Sequence, residues 1–190
     1  MRKLSVALCL LLLAGCVSME KIEKGDRAVG DRLSVKIEGS WNHLQAPNLG
    51  PAEVWTQEGI TVDELLLYSG IKDEQVVHIP DRSGKTKDFA FRSKMQPDEI
   101  ASMFEGMLTR DGSSYKLTKL EPMTFAGTKG FHFEFEMTRK IDNVVLLGSC
   151  WGAVSKGELF AILYKAPRLV FYSRHAAQVE KIAQSATLKP

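Results

Sequence analysis

Residues 131–137, Phe-His-Phe-Glu-Phe-Glu-Met, restrict the fold of this chain more than any other stretch. Apolar and polar side chains alternate without a break, and successive side chains of a β-strand point to opposite faces. Phe131, Phe133 and Phe135 therefore belong on a core face, and His132, Glu134 and Glu136 on the other. A helix would spread the three phenylalanines around its circumference, so the segment calls for a sheet with a covered apolar face.

The flanking sequence supplies the rest of such a sheet. Residues 115–121, 143–151 and 159–164 read as further strands, joined by the turns Ala126-Gly127-Thr128-Lys129-Gly130 and Ser155-Lys156-Gly157-Glu158, and together they form an antiparallel meander. Upstream, residues 33–37, 54–56 and 64–68 are strand-like, and 76–79 can pair with 89–91 across the loop at 80–85. Pro97, followed by Asp98 and Glu99, suits a helix start. Ile100, Met103, Phe104, Met107 and Leu108 continue at helical spacing until Asp111-Gly112. A closing helix over 173–185 carries Ala176, Val179, Ile182 and Ala183 on one stripe. The expectation is an α+β fold, a central antiparallel sheet with helices packed on it, in a single domain over residues 31–190.

The amino terminus is of another kind. Arg2 and Lys3 precede an apolar run over 4–13, the layout of a secretory signal. About ten residues fall well short of the roughly 20 that span a bilayer as a helix. The stretch Leu13-Ala14-Gly15-Cys16 resembles the lipobox of bacterial lipoproteins. That resemblance implies removal of residues 1–15 as a signal peptide, a thioether-linked diacylglycerol on Cys16, and acylation of the new amino terminus with a fatty acid such as palmitate. One acyl chain holds a membrane marginally, whereas two or three hold it stably, at ~0.8 kcal/mol per buried CH₂. Val17 stands where an Asp would imply inner-membrane retention, so in a diderm host the resemblance implies the outer membrane, facing the periplasm. The alternative is an ordinary signal peptide with an incidental cysteine. Residues 17–30 are polar and charged, so 16–30 is expected to be a lipidated cysteine with a flexible tether; about fourteen residues of coil reach on the order of 20 Å.

Composition narrows the possible roles. Loss of Arg2 and Lys3 with the leader takes two from the 25 basic residues, leaving 23 against 23 acidic. No basic field remains to recruit nucleic acid. Of the three cysteines, Cys9 leaves with the leader and Cys16 takes lipid, so Cys150 has no partner and the domain is expected to stand on its core without disulfides. The apolar setting of Cys150, between Leu147 and Trp151, fits a buried small hydrophobe better than a reactive thiol.

The last hundred residues carry a second resemblance. An amphipathic helix, a strand ending in a Gly turn, the strand Gly130-Phe131-x-Phe133-x-Phe135, a long hairpin, the segment Leu159-Phe160-Ala161-Ile162-Leu163-Tyr164-Lys165-Ala166-Pro167 and a closing helix are similar to the PsbP-like superfamily. The resemblance covers roughly residues 31–188 and implies an α/β/α sandwich around the antiparallel sheet. It brings no catalytic residues with it, and it implies protein binding, the role of most members whose function is known.

Candidate sites are few. His132, Glu134 and Glu136 share one strand face, and imidazole with two carboxylates can bind Zn²⁺ or a similar ion. Residues two apart lie nearly 7 Å apart along a strand, so a cross-strand ligand would be needed, and the alternative is a solvated polar face. His43, His78 and His175 show no metal-ligand spacing, and Arg174-His175 reads as surface. Ser69 and Ser149 lie in no nucleophile-elbow pattern, and Ser83-Gly84-Lys85-Thr86 has a P-loop ending without the upstream glycine. Trp41 and Trp55, with the loop at 46–51, could line a protein-binding surface or be ordinary core tryptophans. The sequence thus reads as a membrane-anchored, non-catalytic envelope lipoprotein that binds a protein partner or supports an envelope assembly. It would carry no cofactor beyond the lipid on Cys16. The alternative is a periplasmic lipoprotein that binds a small ligand or metal.

Overall fold

The computed structural model of the chain describes residues 18–46, 49–78 and 89–189. In chain order the elements are β1 (Ser18–Ile22), β2 (Gly25–Val29), β3 (Leu33–Ile37), β4 (Trp41–Gln45), β5 (Ala52–Thr56), β6 (Glu64–Ile71), α1 (Pro97–Leu108), β7 (Ser114–Phe125), β8 (Thr128–Thr138), β9 (Val145–Ser155), β10 (Glu158–Pro167), α2 (Phe171–Gln184) and β11 (Thr187–Leu188). Among the described residues one sheet has the order β1-β4-β5-β6-β10-β9-β8-β7 and a small one the order β11-β3-β2. Every ladder is antiparallel. The fold is α+β, as expected.

Both faces of the large sheet are covered, which explains the unbroken apolar run of β10. Leu159, Ala161 and Leu163 face a core shared with Ile100, Met103 and Phe104 of α1. Phe160, Ile162 and Tyr164 face a second core, closed by Val179, Ile182 and Ala183 of α2 and by Val29, Leu33, Val35 and Ile37 of the small sheet. A strand buried on both sides loses the alternation that marks a half-exposed one.

The phenylalanines of β8 sit on the α1 side, and small residues make room for them. Phe131, Phe133 and Phe135 pair across the ladder with Gly152, Cys150 and Gly148. A Cβ on Gly148 would overlap the Phe135 ring, and one on Gly152 would press on Phe131. Large residues on one strand and small ones on the next interdigitate at close-packed density. α1 starts where the sequence places it: the Glu99 carboxylate accepts a hydrogen bond from the Gln96 N–H at 2.7 Å, with Pro97 in the first turn.

Several expectations are corrected. Residues 18–22 and 25–29 are not a flexible tether but strands, paired with β4 and β3. Their charged side chains point to solvent, while Ile22 and Val29 enter the core; an exposed edge strand of this composition looks like coil in sequence. The ordered domain therefore begins by Ser18 rather than at residue 31. Of the two readings of Trp41 and Trp55 the core one holds: both are buried in the core facing α2, and Trp41 opens β4. Pairing of 76–79 with 89–91 is present as an antiparallel bridge, Val76 to Ala90, flanked by backbone bonds from the Val77 N–H to the Phe89 carbonyl and from the Phe91 N–H to the Gln75 carbonyl; Ile79 lies outside the described residues. His175 is not on the surface: it is buried, with Nε2 2.9 Å from Glu58 Oε1. The leader with Cys16, and Ser83-Gly84-Lys85-Thr86, lie outside the described residues. No helix among the described residues is long and apolar enough to cross a membrane.

Candidate functional site

Two clefts stand out, and the same strand, β9, contributes to both. The first is a polar groove of about 280 Å³ between β7, β8, β9 and α2. Because α2 covers β9 and β10 but stops short of β8, the His132 face of β8 is left beside the helix rather than under it. His132 nevertheless is buried, since its ring stacks on Trp151 at 5.1 Å between centroids. Its Nδ1 lies 3.0 Å from Glu121 Oε1 on β7. Lys119 Nζ lies 2.8 Å from the same oxygen. Lys119, and then His132, hold the Glu121 carboxyl below its usual value, and Glu121 in turn raises Lys119. An ionised carboxylate can only accept, so Nδ1 carries the proton of this pair. On the far side of the ring, Nε2 is buried with no hydrogen-bond partner, 3.8 Å from Glu134 Oε1.

The structure brings two of the three expected site residues together and separates the third. His132 and Glu134 share the groove with Glu121, whereas Glu136 turns to Arg168 at 3.0 Å. Among the described residues no group of three or more His, Cys, Asp or Glu side chains is placed to hold a metal. The Glu121–His132 pair has the form of an oriented base, yet no hydroxyl or thiol bonds Nε2: the Ser149 hydroxyl is 2.7 Å from that of Tyr172 instead. Cys150 is fully buried, and burial pushes its thiol well above the ordinary value, which disfavours the thiolate.

The second cleft, of about 500 Å³, is apolar and lies at the end of the sheet where β8 and β10 finish and β6 and β9 start. Val62, Val144, Val145, Pro167, Leu169 and Phe171 line it. Three large apolar side chains crowd this end: Ile141 is 86% exposed, Leu169 79% and Val170 57%. Val170 also has φ of 76°, a left-handed conformation that a β-branched residue rarely adopts. Such strain costs about 1–3 kcal/mol, and here hydrogen bonds from Ser173 Oγ and the Arg174 N–H to the Val170 carbonyl hold it. The rim charges are already paired: Arg139 makes two bonds to Asp142 at 3.0 and 2.7 Å, and Arg168 bonds Glu136.

No family model and no curated protein matches this chain. Solved structures do. A solution structure of cyanobacterial PsbP (CyanoP) from Synechocystis superposes with a TM-score of 0.56 at 13% identity, over 93% of this chain and 95% of that one. The fold is PsbP-like. A crystal structure of LpqN, described as involved in cell envelope biogenesis of Mycobacterium tuberculosis, aligns with a TM-score of 0.48 at 13% identity over 92% of each chain.

Sequence reasoning missed Glu121 and Lys119 as partners of His132, because they come from another strand whose register is fixed only by pairing: Glu121 stands opposite His132. It also missed the apolar cleft. Its residues come from three separate loops and strand ends, and the one local signal was the run Pro167-Arg168-Leu169-Val170, which ends a buried strand with two exposed aliphatic residues.

Proposed function

We propose that this chain is a lipid-anchored, non-catalytic protein of the bacterial cell envelope that binds a partner protein through the apolar cleft at one end of its sheet. The observation that carries this reading is an exposed Leu169 on a cleft lined by aliphatic and aromatic side chains, with exposed Ile141 and Val170 within two residues of its lining residues in the chain. A patch of this kind on a protein surface marks an interaction site. Because Arg139 and Arg168 are spent on Asp142 and Glu136, the occupant that fits is an aliphatic side chain rather than a charged group.

The direction of the strands favours a protein over the bilayer as occupant. Following the antiparallel pairs from β10 through β6, β5 and β4 to β1, β1 runs the same way as β10, toward the cleft end. Ser18, the first described residue, therefore lies at the other end. A lipid on Cys16 holds that other end at the membrane and leaves the cleft facing away from it. The buried Cys150 thiol, and a His132 Nε2 with no hydroxyl or thiol on it among the described residues, fit the non-catalytic part of the reading.

Two variants test the two halves separately. Wild-type protein made in a bacterial envelope should partition into the detergent phase of a cloud-point extraction and Cys16→Ser should not; equal partitioning rejects the anchor. Leu169→Asp should abolish a crosslinked envelope complex that wild-type protein forms, with folding and partitioning unchanged; an undiminished complex rejects the cleft as the docking site.

A further inference from the structure

The polar groove carries a feature that docking at the apolar cleft does not use. His132 is 8% exposed, its Nδ1 is bonded to Glu121, and its buried Nε2 has no hydrogen-bond partner among the described residues; in the neutral ring, with the proton on Nδ1, that nitrogen is an acceptor. A buried polar atom left without a partner costs about 1–3 kcal/mol. Facing it, the Glu134 carboxylate has no hydrogen bond of its own; its nearest charged neighbours are His132 Nε2 at 3.8 Å and Lys119 Nζ at 3.9 Å. Two acceptors thus confront each other across a gap too wide for a bond between them. One donor nitrogen bridges that gap, lying at about 2.8–2.9 Å from each.

We infer that the groove binds a small organic cation, a primary ammonium on a short aliphatic chain, with its nitrogen between His132 Nε2 and Glu134. Charge points the same way. Lys119 and Glu121 neutralise one another, which leaves Glu134 and Glu180 as net negative charge around the groove. Glu180 already accepts from Gln184 at 3.1 Å, which fixes its carboxylate on the α2 side. Met123 and Ala176 supply an apolar wall for the carbon chain, and the hydroxyls of Ser149 and Tyr172, bonded to each other, line the same groove. A divalent metal fits less well, since only two acceptors converge and no third His, Cys, Asp or Glu completes a set among the described residues. Glu134 forms the solvent side of the pair: its side chain is 42% exposed against 11% for His132.

Calorimetric titration of the domain with putrescine, at neutral pH and low salt, tests this. Saturable binding is expected, at least tenfold weaker for Glu134→Gln, and absent for butanediol, which matches the ligand in shape but lacks its charge. Glu136→Gln, whose carboxylate pairs with Arg168 outside the groove, should bind as wild type does. Melting temperatures of both variants confirm folding. The inference is overturned by no saturable binding of putrescine, by equal binding of butanediol, by a Glu134→Gln variant that binds unchanged, or by saturable binding of Zn²⁺ in place of the amine.

Discussion

A single methyl group placed at Gly148 tests how tightly the sheet is packed. Gly148 lies opposite Phe135 on the neighbouring strand, and a Cβ there would occupy the space of the Phe135 ring. Phe135 cannot swing aside: it is 1% exposed and stacked on Tyr115 at 5.0 Å between centroids. Gly148→Ala therefore overpacks a closed core, at a cost of about 1–3 kcal/mol. For a domain of this size each kcal/mol lowers Tm by about 2–4 °C, so a loss of about 2–12 °C is expected. Urea unfolding at constant m-value measures it directly. Phe135→Leu is destabilising by itself, yet it vacates part of the contested volume. In the double variant the two losses should fall short of additivity by about 1 kcal/mol or more. A Gly148→Ala protein within about 0.5 kcal/mol of wild type, or strictly additive losses, would refute the interlocking of β8 and β9.

Other consequences can be checked as readily. Glu58 is held below its usual carboxyl value of 4.5 by His175, then Arg174. Its contribution to stability is thus complete above about pH 4.5 and lost as pH falls through the lowered native value; Glu58→Gln should flatten the acid limb of the stability curve in pH-dependent melts. Because β1 and β2 are part of the fold, their amides should be protected in hydrogen exchange, and deletion of residues 18–22 should lower Tm by uncovering Trp41, its ladder partner at Ile22. Alkylation of Cys150 by a thiol reagent should require denaturant, since the thiol is buried; rapid native labelling would contradict its place in the core.

Much of the fold was legible because the strands from 114 onward carry strong local signals. The alternation of β8 placed Phe131, Phe133 and Phe135 in one core and His132 on the other face, and both hold in the structure. The glycines and charged turns between strands marked the meander. The first half was harder to read, for physical reasons. β1 lies at a sheet edge with most side chains in solvent, so its order comes from backbone pairing that composition does not reveal. β4 is short, and nothing local to it decides between core and surface for Trp41, which the second core encloses. The groove was half visible: His132 and Glu134 are two apart in sequence, but Glu121 joins them only through strand register. The apolar cleft depends on where three distant loops meet, which no local pattern encodes.

Photocrosslinking in intact cells, from a photoreactive residue in place of Leu169 and, for comparison, in place of Gly127 at the opposite end of β8, tests the central claim most directly. The account predicts a discrete protein adduct from position 169 that is lost when Val144 on the cleft wall is changed to Asp, and no such adduct from position 127. A lipid adduct at position 169, an adduct indifferent to Val144→Asp, or the same adduct from both positions would contradict it.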